Sequence, residues 1–391
     1  MKTAIIIFTY LVLGSLTIIF FDGTAGAGDS IYHYLYAKEA LGNTALFFDH
    51  WAKPLWVLIA SPFAQIGFVG IKIMNLLAGA GTIYFTTKTA ERLNIKDSWI
   101  TGLLLVFCPL YFVLTFSGLT EPLFAFFLIF STFLFIGKRY VWSILIISFL
   151  PYIRSEGLFF IGVFGFTLAW LKVWKYLPFL LAGSLIYGIA GLPVHGDLFW
   201  VFNKVPYAKL SSTYGEGTDP FHFVNELLYV IGIPFYIFFW LGIIAWFRKT
   251  WKEGFNAPLT FLIYGGAISF IIAHSLFWYF GIFNSMGLKR VLICIVPLLS
   301  IIALYGINFL TVHVLHKYKK AGNLVKYMIL IYLVIFPFTS NPAAIEFSQD
   351  LSPNTSEQVA KEAAKFIKRN YDDHRIITAD IQFCKLLNKD C

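Results

Sequence analysis

Apolar runs, each cut by a cluster of basic or turn residues, divide the chain near 3–21, 69–87, 99–116, 122–137, 140–153, 157–171, 176–193, 226–247, 257–279, 289–310 and 327–340. About twenty apolar residues are enough to cross a hydrocarbon core about 30 Å thick. The pattern therefore predicts an all-α polytopic membrane protein with about 11 transmembrane helices. The first connection, 22–68, is too long to be a turn. Within it, 30–41 predicts a helix carrying Tyr32, Tyr34 and Tyr36, entered through Gly28-Asp29-Ser30. Residues 54–66 are apolar but too short to span, which predicts a helix lying in the interface, with Trp51 and Trp56 at headgroup depth. A second long connection, 194–225, carries Trp200, Tyr207, Tyr214 and Phe221.

After the last apolar run, 356–370 predicts an amphipathic helix, followed by an extended RIITAD and a second short helix. The expected division is a membrane domain over 1–340 and a small C-terminal segment of α/β character over 341–391. About fifty residues is small for an independent fold. The tail therefore reads either as truncated or as packed on the membrane domain.

Composition agrees with the pattern: 58% of the residues are hydrophobic and 13% charged, where a soluble domain carries about 25% charged. The net charge of +9 needs no nucleic acid as partner once its distribution is followed. With the N-terminus inside, fifteen basic residues fall on the inner side: Lys2; Lys88, Arg92, Lys96; Lys138, Arg139; Lys172, Lys175; Arg248, Lys249, Lys252; and Lys317, Lys319, Lys320, Lys326. The outer connections before the tail hold seven: Lys38, Lys53, Arg154, Lys204, Lys209, Lys289 and Arg290. That bias orients the chain with a cytoplasmic N-terminus. The run 3–21 is longer than the apolar part of a cleaved signal, about 7–15 residues, so a retained first helix is expected. Cys108 and Cys294 lie in apolar runs and read as small hydrophobes; Cys384 and Cys391 lie in the tail.

Under this threading the acids and histidines gather outside. Asp29 begins a helix, where an acid serves either as a cap or as a base held just above the membrane. Glu121, after Thr120 and before Pro122, is an ordinary helix start signal near the positive end of the dipole. Fourteen uncharged residues separate Arg139 from Arg154, about 21 Å of helix. This places Arg154 and Glu156 below the outer headgroups, where ionisable groups usually line a functional cavity and a guanidinium suits a phosphate. Lys53 is presented at a defined place by Pro54, beside Asp49 and His50, and the three would form one wall of an outward-facing cavity. His274, near the outer end of a span, reads as an interhelical hydrogen-bonding residue. Lys289 and Arg290 run against the basic-inside trend, which points to an anionic partner outside or to a lipid anchor. His195, Asp197, Asp219 and His222 match no zinc or calcium spacing. No phosphate-binding glycine loop is present, so no cofactor is assigned and a divalent metal is left open.

Three features resemble the membrane-embedded C-type glycosyltransferases that use polyprenyl-phosphate sugars, in the branch of the protein mannosyltransferases and lipid A aminoarabinose transferases. They are the acid after the first helix (Gly28-Asp29), the motif Trp51-Ala52-Lys53-Pro54-Leu55, and the later turn Arg154-Ser155-Glu156. The chain departs from that branch in having one proline after the lysine rather than two, and Asp29 beside Ser30 rather than a second acid. The resemblance implies a bacterial inner-membrane enzyme moving a mannose-like hexose or related sugar, with inversion, to a glycan, lipid or protein acceptor. Asp29 would be the catalytic base and Lys53 and Arg154 the phosphate ligands. Asp49, His50, Glu121, Glu156, His274 and Arg290 would support the pocket. The alternatives are a flippase or secondary transporter, which a two-fold repeat would favour, and a polysaccharide polymerase. No repeat is visible.

The orientation is directly testable. A reporter fused after Lys252 is expected in the cytoplasm and one after Thr213 outside; both on one side of the membrane would refute the threading.

Overall fold

The computed structural model describes residues 1–25, 27–206, 214–315 and 317–371. The described residues form helices and no strands. The first helix, α1 (Lys2–Phe20), is followed by α2 (Ala27–Glu39), α3 (Pro54–Ala64) and α4 (Phe68–Arg92). Short helices come next: α5 (Ile100–Val106), α6 (Pro109–Thr115), α7 (Glu121–Ile136), α8 (Tyr140–Ser148) and α9 (Gly157–Trp170). The second half holds α10 (Ala182–His195), α11 (Trp200–Asn203), α12 (His222–Glu253), α13 (Gly266–Tyr279), α14 (Val296–Asn308) and α15 (Lys319–Ile335). The tail contributes α16 (Phe347–Asp350) and α17 (Thr355–Asn370).

Among the described residues seven helical stretches are long and apolar enough to cross a bilayer: Lys2–Phe20, Phe68–Arg92, Trp174–His195, His222–Lys252, Leu259–Tyr279, Lys289–Val314 and Lys320–Phe338. The remaining expected spans are resolved differently. Segments 122–137, 140–153 and 157–171 form shorter apolar helices. Segment 99–116 is two helices, because Pro109 has no N–H to continue the ladder and drives Cys108 into an extended conformation (φ −77°, ψ 112°). The chain is an integral membrane protein with an all-helical fold, as expected, although the structure does not supply eleven full-length spans.

Within the stretch Lys289–Val314, residues 292 to 308 are buried without a break and form the axis of the bundle. Helix α12 packs directly along it. A Cβ on Gly242 would lie 2.0 Å from the carbonyl of Ile302, and one on Gly306 would lie 2.1 Å from that of Phe238. Only glycine permits this approach, and close backbone packing is what binds helices in lipid, where apolar burial supplies no drive. Helix α12 then bends at Gly232 (φ 74°), just before Pro234. The first helix is integrated rather than peripheral: Tyr10 is fully buried, and its hydroxyl lies 3.0 Å from Thr115 Oγ1.

The short helix expected over 54–66 is α3, and the amphipathic helix expected over 356–370 is α17. RIITAD, the second short helix and the two tail cysteines lie outside the described residues. Helix α17 opens with a capping box, in which Asn354 accepts from the Glu357 N–H while Glu357 Oε2 accepts from the Asn354 N–H. The other Glu357 oxygen accepts from the Thr24 hydroxyl at 2.6 Å. Lys361 pairs with Asp22, and the Gly23 N–H donates to Leu351 O at 3.0 Å. The tail therefore grips residues 22–24, the segment that leads into α2.

Glu357→Ala removes the carboxylate half of the capping box, leaving Asn354 on the residue-357 N–H, and with it the bond to Thr24. A loss of about 1–2 kcal/mol in the docking of α17 is expected, read as faster proteolytic cleavage within 355–370 in detergent. An unchanged cleavage rate would mean that the tail is held by other contacts.

Candidate active site

Six ionisable side chains from five parts of the sequence meet at one end of the bundle. Each stands at a helix terminus or in a turn, where the backbone ladder is incomplete and side chains can converge.

Asp29 lies in the first turn of α2, inside the helix rather than at its cap. The turn that precedes α7 supports it. A Cβ on Gly118 would lie 2.2 Å from the Ser30 carbonyl, so a glycine there lets the two backbones touch. Asn75, buried on α4, holds the same turn through its amide to Ser117 O at 2.9 Å. Glu121 then begins α7, as a helix start signal should, and its side chain is fully buried.

Two arginines converge on Glu121. Arg154 Nη1 lies 2.8 Å from Glu121 Oε1 and donates to Thr120 Oγ1 at 3.0 Å. Its Nη2 and Nε reach Glu156 Oε1 at 2.6 and 3.2 Å. Arg290 pairs with Asp29, and its Nε stands 3.6 Å from Glu121 Oε1. The ion pairs to Glu121 lie off the line of a hydrogen bond, and neither oxygen of that carboxylate has a hydrogen-bond partner among the described residues. A buried carboxylate left in this state is costly. The third cation, Lys53, is buried as well; its ammonium donates to Ser155 Oγ at 3.1 Å and to His50 O at 3.5 Å. Three carboxylates and three cations thus balance one another when all are ionised.

Burial sets the protonation here. Lys53 is pushed down to about 8, with Glu156 and Asp49 opposing the shift and Arg154 adding to it. Burial, the largest single influence, would raise Glu156, but the charge and hydrogen bond of Arg154, with His274 and a backbone N–H, together outweigh it and hold the carboxyl at about 2. Arg154 is likewise penalised by burial, yet Glu121 and Glu156 drive its pKa above the ordinary value.

The remaining expected residues sit at varied distances from this cluster. Asp49 accepts from the Ala52 N–H at 2.8 Å and so closes the turn that presents Lys53. His50 turns away: Nε2 donates to Val201 O at 3.0 Å and the ring meets Trp200 edge-on. It ties the first long connection to the second, as does His195, which donates to Phe48 O at 2.9 Å. His274 is buried among Phe223, Phe270 and Phe277, close enough to Glu156 and Arg154 for their charges to interact.

One residue at the site has no counterpart among those expected from the sequence. His33 is buried, stacked on Trp51 (centroids 5.0 Å apart, planes 14° apart) and tilted against Trp56 at 5.2 Å. Its Nδ1 has no partner among the described residues. It follows Asp29 by four positions, which puts both on one face of α2; that spacing was the available signal. Thr120 and Ser155, which donate or accept within the cluster, carried none. Among the described residues no group of three or more His, Cys, Asp or Glu side chains is placed to hold a metal ion.

The fold matches two crystal structures of ArnT from Cupriavidus metallidurans. One is bound to undecaprenyl phosphate (TM-score 0.70, 11% identity) and the other is in the apo state (TM-score 0.67, 10% identity). Each alignment covers 98% of this chain and 84% of that one. No family model and no curated protein matches the sequence. At this identity the likeness is one of fold, and the fold is the one that the sequence resemblance implied.

The histidine gives a pH test. Burial first, then the nearby Lys53, lowers His33 from 6.5 to about 3. The folded protein therefore keeps it neutral where the unfolded chain would protonate it. Its contribution is complete above about pH 6.5 and is lost as pH falls toward 3, at up to about 1.4 kcal/mol per pH unit. In His33→Phe, which keeps a ring against Trp51, the melting temperature should fall less steeply over that window. Parallel curves for variant and parent would show that His33 titrates normally.

Proposed function

We propose that the protein is an integral-membrane glycosyltransferase that moves a hexose or related sugar from a polyprenyl-phosphate donor to an acceptor hydroxyl on the extracytoplasmic face. The observation that carries this reading is the pair Arg154 and Arg290 on a buried Glu121 carboxylate without hydrogen-bond partners among the described residues, with buried Lys53 on the neighbouring Ser155 and a half-exposed Asp29. Supporting it is the shared fold with a protein whose structure holds undecaprenyl phosphate. The basic-inside bias of the sequence supports an outward-facing site in a bacterial inner membrane.

In the reaction, the acceptor hydroxyl attacks the anomeric carbon from the side opposite the lipid phosphate. A new carbon–oxygen bond forms, the bond from the anomeric carbon to the phosphate oxygen breaks, and the phosphate leaves with the electron pair. This displacement inverts the anomeric centre. Asp29 takes the hydroxyl proton. Lys53 and Arg154 hold the phosphate and stabilise the charge it gains, most effectively because the site is partly dry. Glu121 and Glu156 keep Arg154 in position, and His274 lines the same wall. In the resting site Arg290 covers Asp29 Oδ2. An arriving phosphate competes for that guanidinium and uncovers the carboxylate, so the base is available when donor is bound. The acceptor is a glycan, a lipid or a protein.

Two variants test the roles. Asp29→Asn keeps the shape and removes the base, so transfer from a radiolabelled polyprenyl-phosphate hexose should fall about a hundredfold to ten-thousandfold, with donor binding and melting temperature retained. Near-normal transfer would place the base elsewhere. Lys53→Met removes one cation without stranding a carboxylate partner, whereas loss of Arg154 would leave Glu156 without its ion pair and Glu121 with only the 3.6 Å contact to Arg290. A charge-assisted bond is worth about 1.5–3 kcal/mol, so KM for the donor should rise roughly ten- to a hundredfold. Unchanged donor use would make Lys53 a structural anchor of the 150s turn.

A further inference from the structure

A cavity of about 270 Å³ opens at the other end of the bundle. From Arg290 to Asn308, along the axis, is about 27 Å at helical rise. Lys96 lines the cavity from the turn after α4, Arg248, Lys249 and Lys252 from the last turns of α12, and Tyr305 and Asn308 from α14. Among the described residues no acidic side chain lines it. The neighbouring acid, Asp97, is bound by Lys326 at 3.0 Å, which takes its charge away from the rim.

A ring of surface cations alone would be a solvated face, of the kind the basic-inside rule produces in any membrane protein. This ring has a floor. Asn308 is 7% exposed and donates from Nδ2 to Lys96 O at 2.7 Å, which fixes the orientation of its amide. Its Oδ1 is buried and has no hydrogen-bond partner among the described residues. Above it, Lys249 reaches the Tyr305 hydroxyl at 3.4 Å and Arg248 stands over the Phe309 ring at 5.6 Å. Lys96, Arg248 and Lys252 make no ion pair among the described residues. The cavity therefore offers several positive donors at its mouth and one acceptor at its base.

That pairing of groups selects a chemistry. A bare phosphate has only its own P–O–H to offer Asn308 Oδ1, on the same phosphorus as the oxygens the cations hold. A phosphate ester with a hydroxyl a few bonds away satisfies both. The volume falls just under the range of small-molecule pockets, about 300–1,000 Å³, which suits a headgroup better than a nucleotide.

We propose that this cavity binds a glycerol-phosphate group, its phosphate against Arg248, Lys249 and Lys252 and its hydroxyl on Asn308 Oδ1. The headgroup of an anionic phospholipid and soluble glycerol phosphate share this chemistry. The site is separate from the arginine cluster around Glu121 and does not depend on the reading of that cluster.

The test uses the full-length protein in detergent, titrated with dioctanoyl phosphatidylglycerol, dioctanoyl phosphatidylcholine and glycerol phosphate, with binding followed by native mass spectrometry and thermal shift. Phosphatidylglycerol should bind at least tenfold tighter than phosphatidylcholine, whose headgroup has no hydroxyl to donate. Reversing charge at two exposed rim positions, Arg248→Glu with Lys252→Glu, should weaken it tenfold or more, while Lys53→Met at the other end leaves it unchanged. Should the double variant lose its fold, Lys252→Glu alone is expected to weaken binding by a smaller factor at the parent melting temperature. Glycerol phosphate binding as well as the lipid would identify a soluble ligand; binding of the lipid alone would identify the membrane leaflet. Equal affinity for the two lipids, or an affinity for phosphatidylglycerol that charge reversal does not move, overturns the proposal.

Discussion

A single carboxylate sets the terms for one end of this molecule. Glu121 is fully buried, and two guanidinium groups approach the same oxygen, at 2.8 Å from Arg154 and 3.6 Å from Arg290. In a medium of low dielectric an unpaired charge is expensive, and removing one partner of a buried pair costs far more than the pair gains. The arginines therefore stay beside Glu121, and other donors of theirs reach Glu156, Thr120 and Asp29. Each element that carries one of these groups is thereby located relative to the others. The turns before α7 and α9 and the approach to the axial helix are positioned by charge pairing as well as by apolar packing.

The local backbone bears the cost of this convergence. Lys53 has φ 70°, in the left-handed region that residues other than glycine rarely occupy. Such a conformation costs of order 1–3 kcal/mol and persists only where its surroundings enforce it. Here Pro54 starts α3 directly after it, Asp49 closes the turn before it, and Ser155 takes the ammonium. The axial helix likewise enters through a 3₁₀ stretch, Lys289–Ile295, before becoming α-helical, and this carries Arg290 onto the cluster. Irregular backbone at the end of a membrane bundle is tolerated where it is buried in protein or lines a cavity. The helices on either side remain regular.

The tail adds a constraint at a distance in sequence. Glu357 and Lys361 bind Thr24 and Asp22, a few residues before Asp29. The start of α2 is thus held from behind by the tail and from the side by Gly118 and Asn75. Asp29 itself is the most exposed carboxylate of the cluster, at 45% of its side chain, and is the one an outside molecule can reach.

Much of this was legible in the chain. Apolar run length determines a helical membrane protein, because nothing else buries so much apolar surface and satisfies the backbone within lipid. Proline and lysine at 53–54, the acid at 29 and the Arg-Ser-Glu turn mark residues that the structure brings to one end of the bundle. Local rules also located α3 and α17 to within a few residues. What the sequence left undecided was partnership. Glu121 is an ordinary helix start by its neighbours, and its place between two arginines follows from α7, the turn before α9 and the axial helix meeting, over separations of 33 and 169 positions. His50 stands three residues from Lys53 yet faces Val201, because its ring is drawn to the second long connection. The division of short helices from long ones was likewise beyond local pattern, since Pro109 breaks a span whose hydropathy is continuous. Period and composition act over a few residues and determine which segments enter the membrane; pairing energies between distant side chains exist only once those segments are packed, and so only the tertiary structure decides which charges meet.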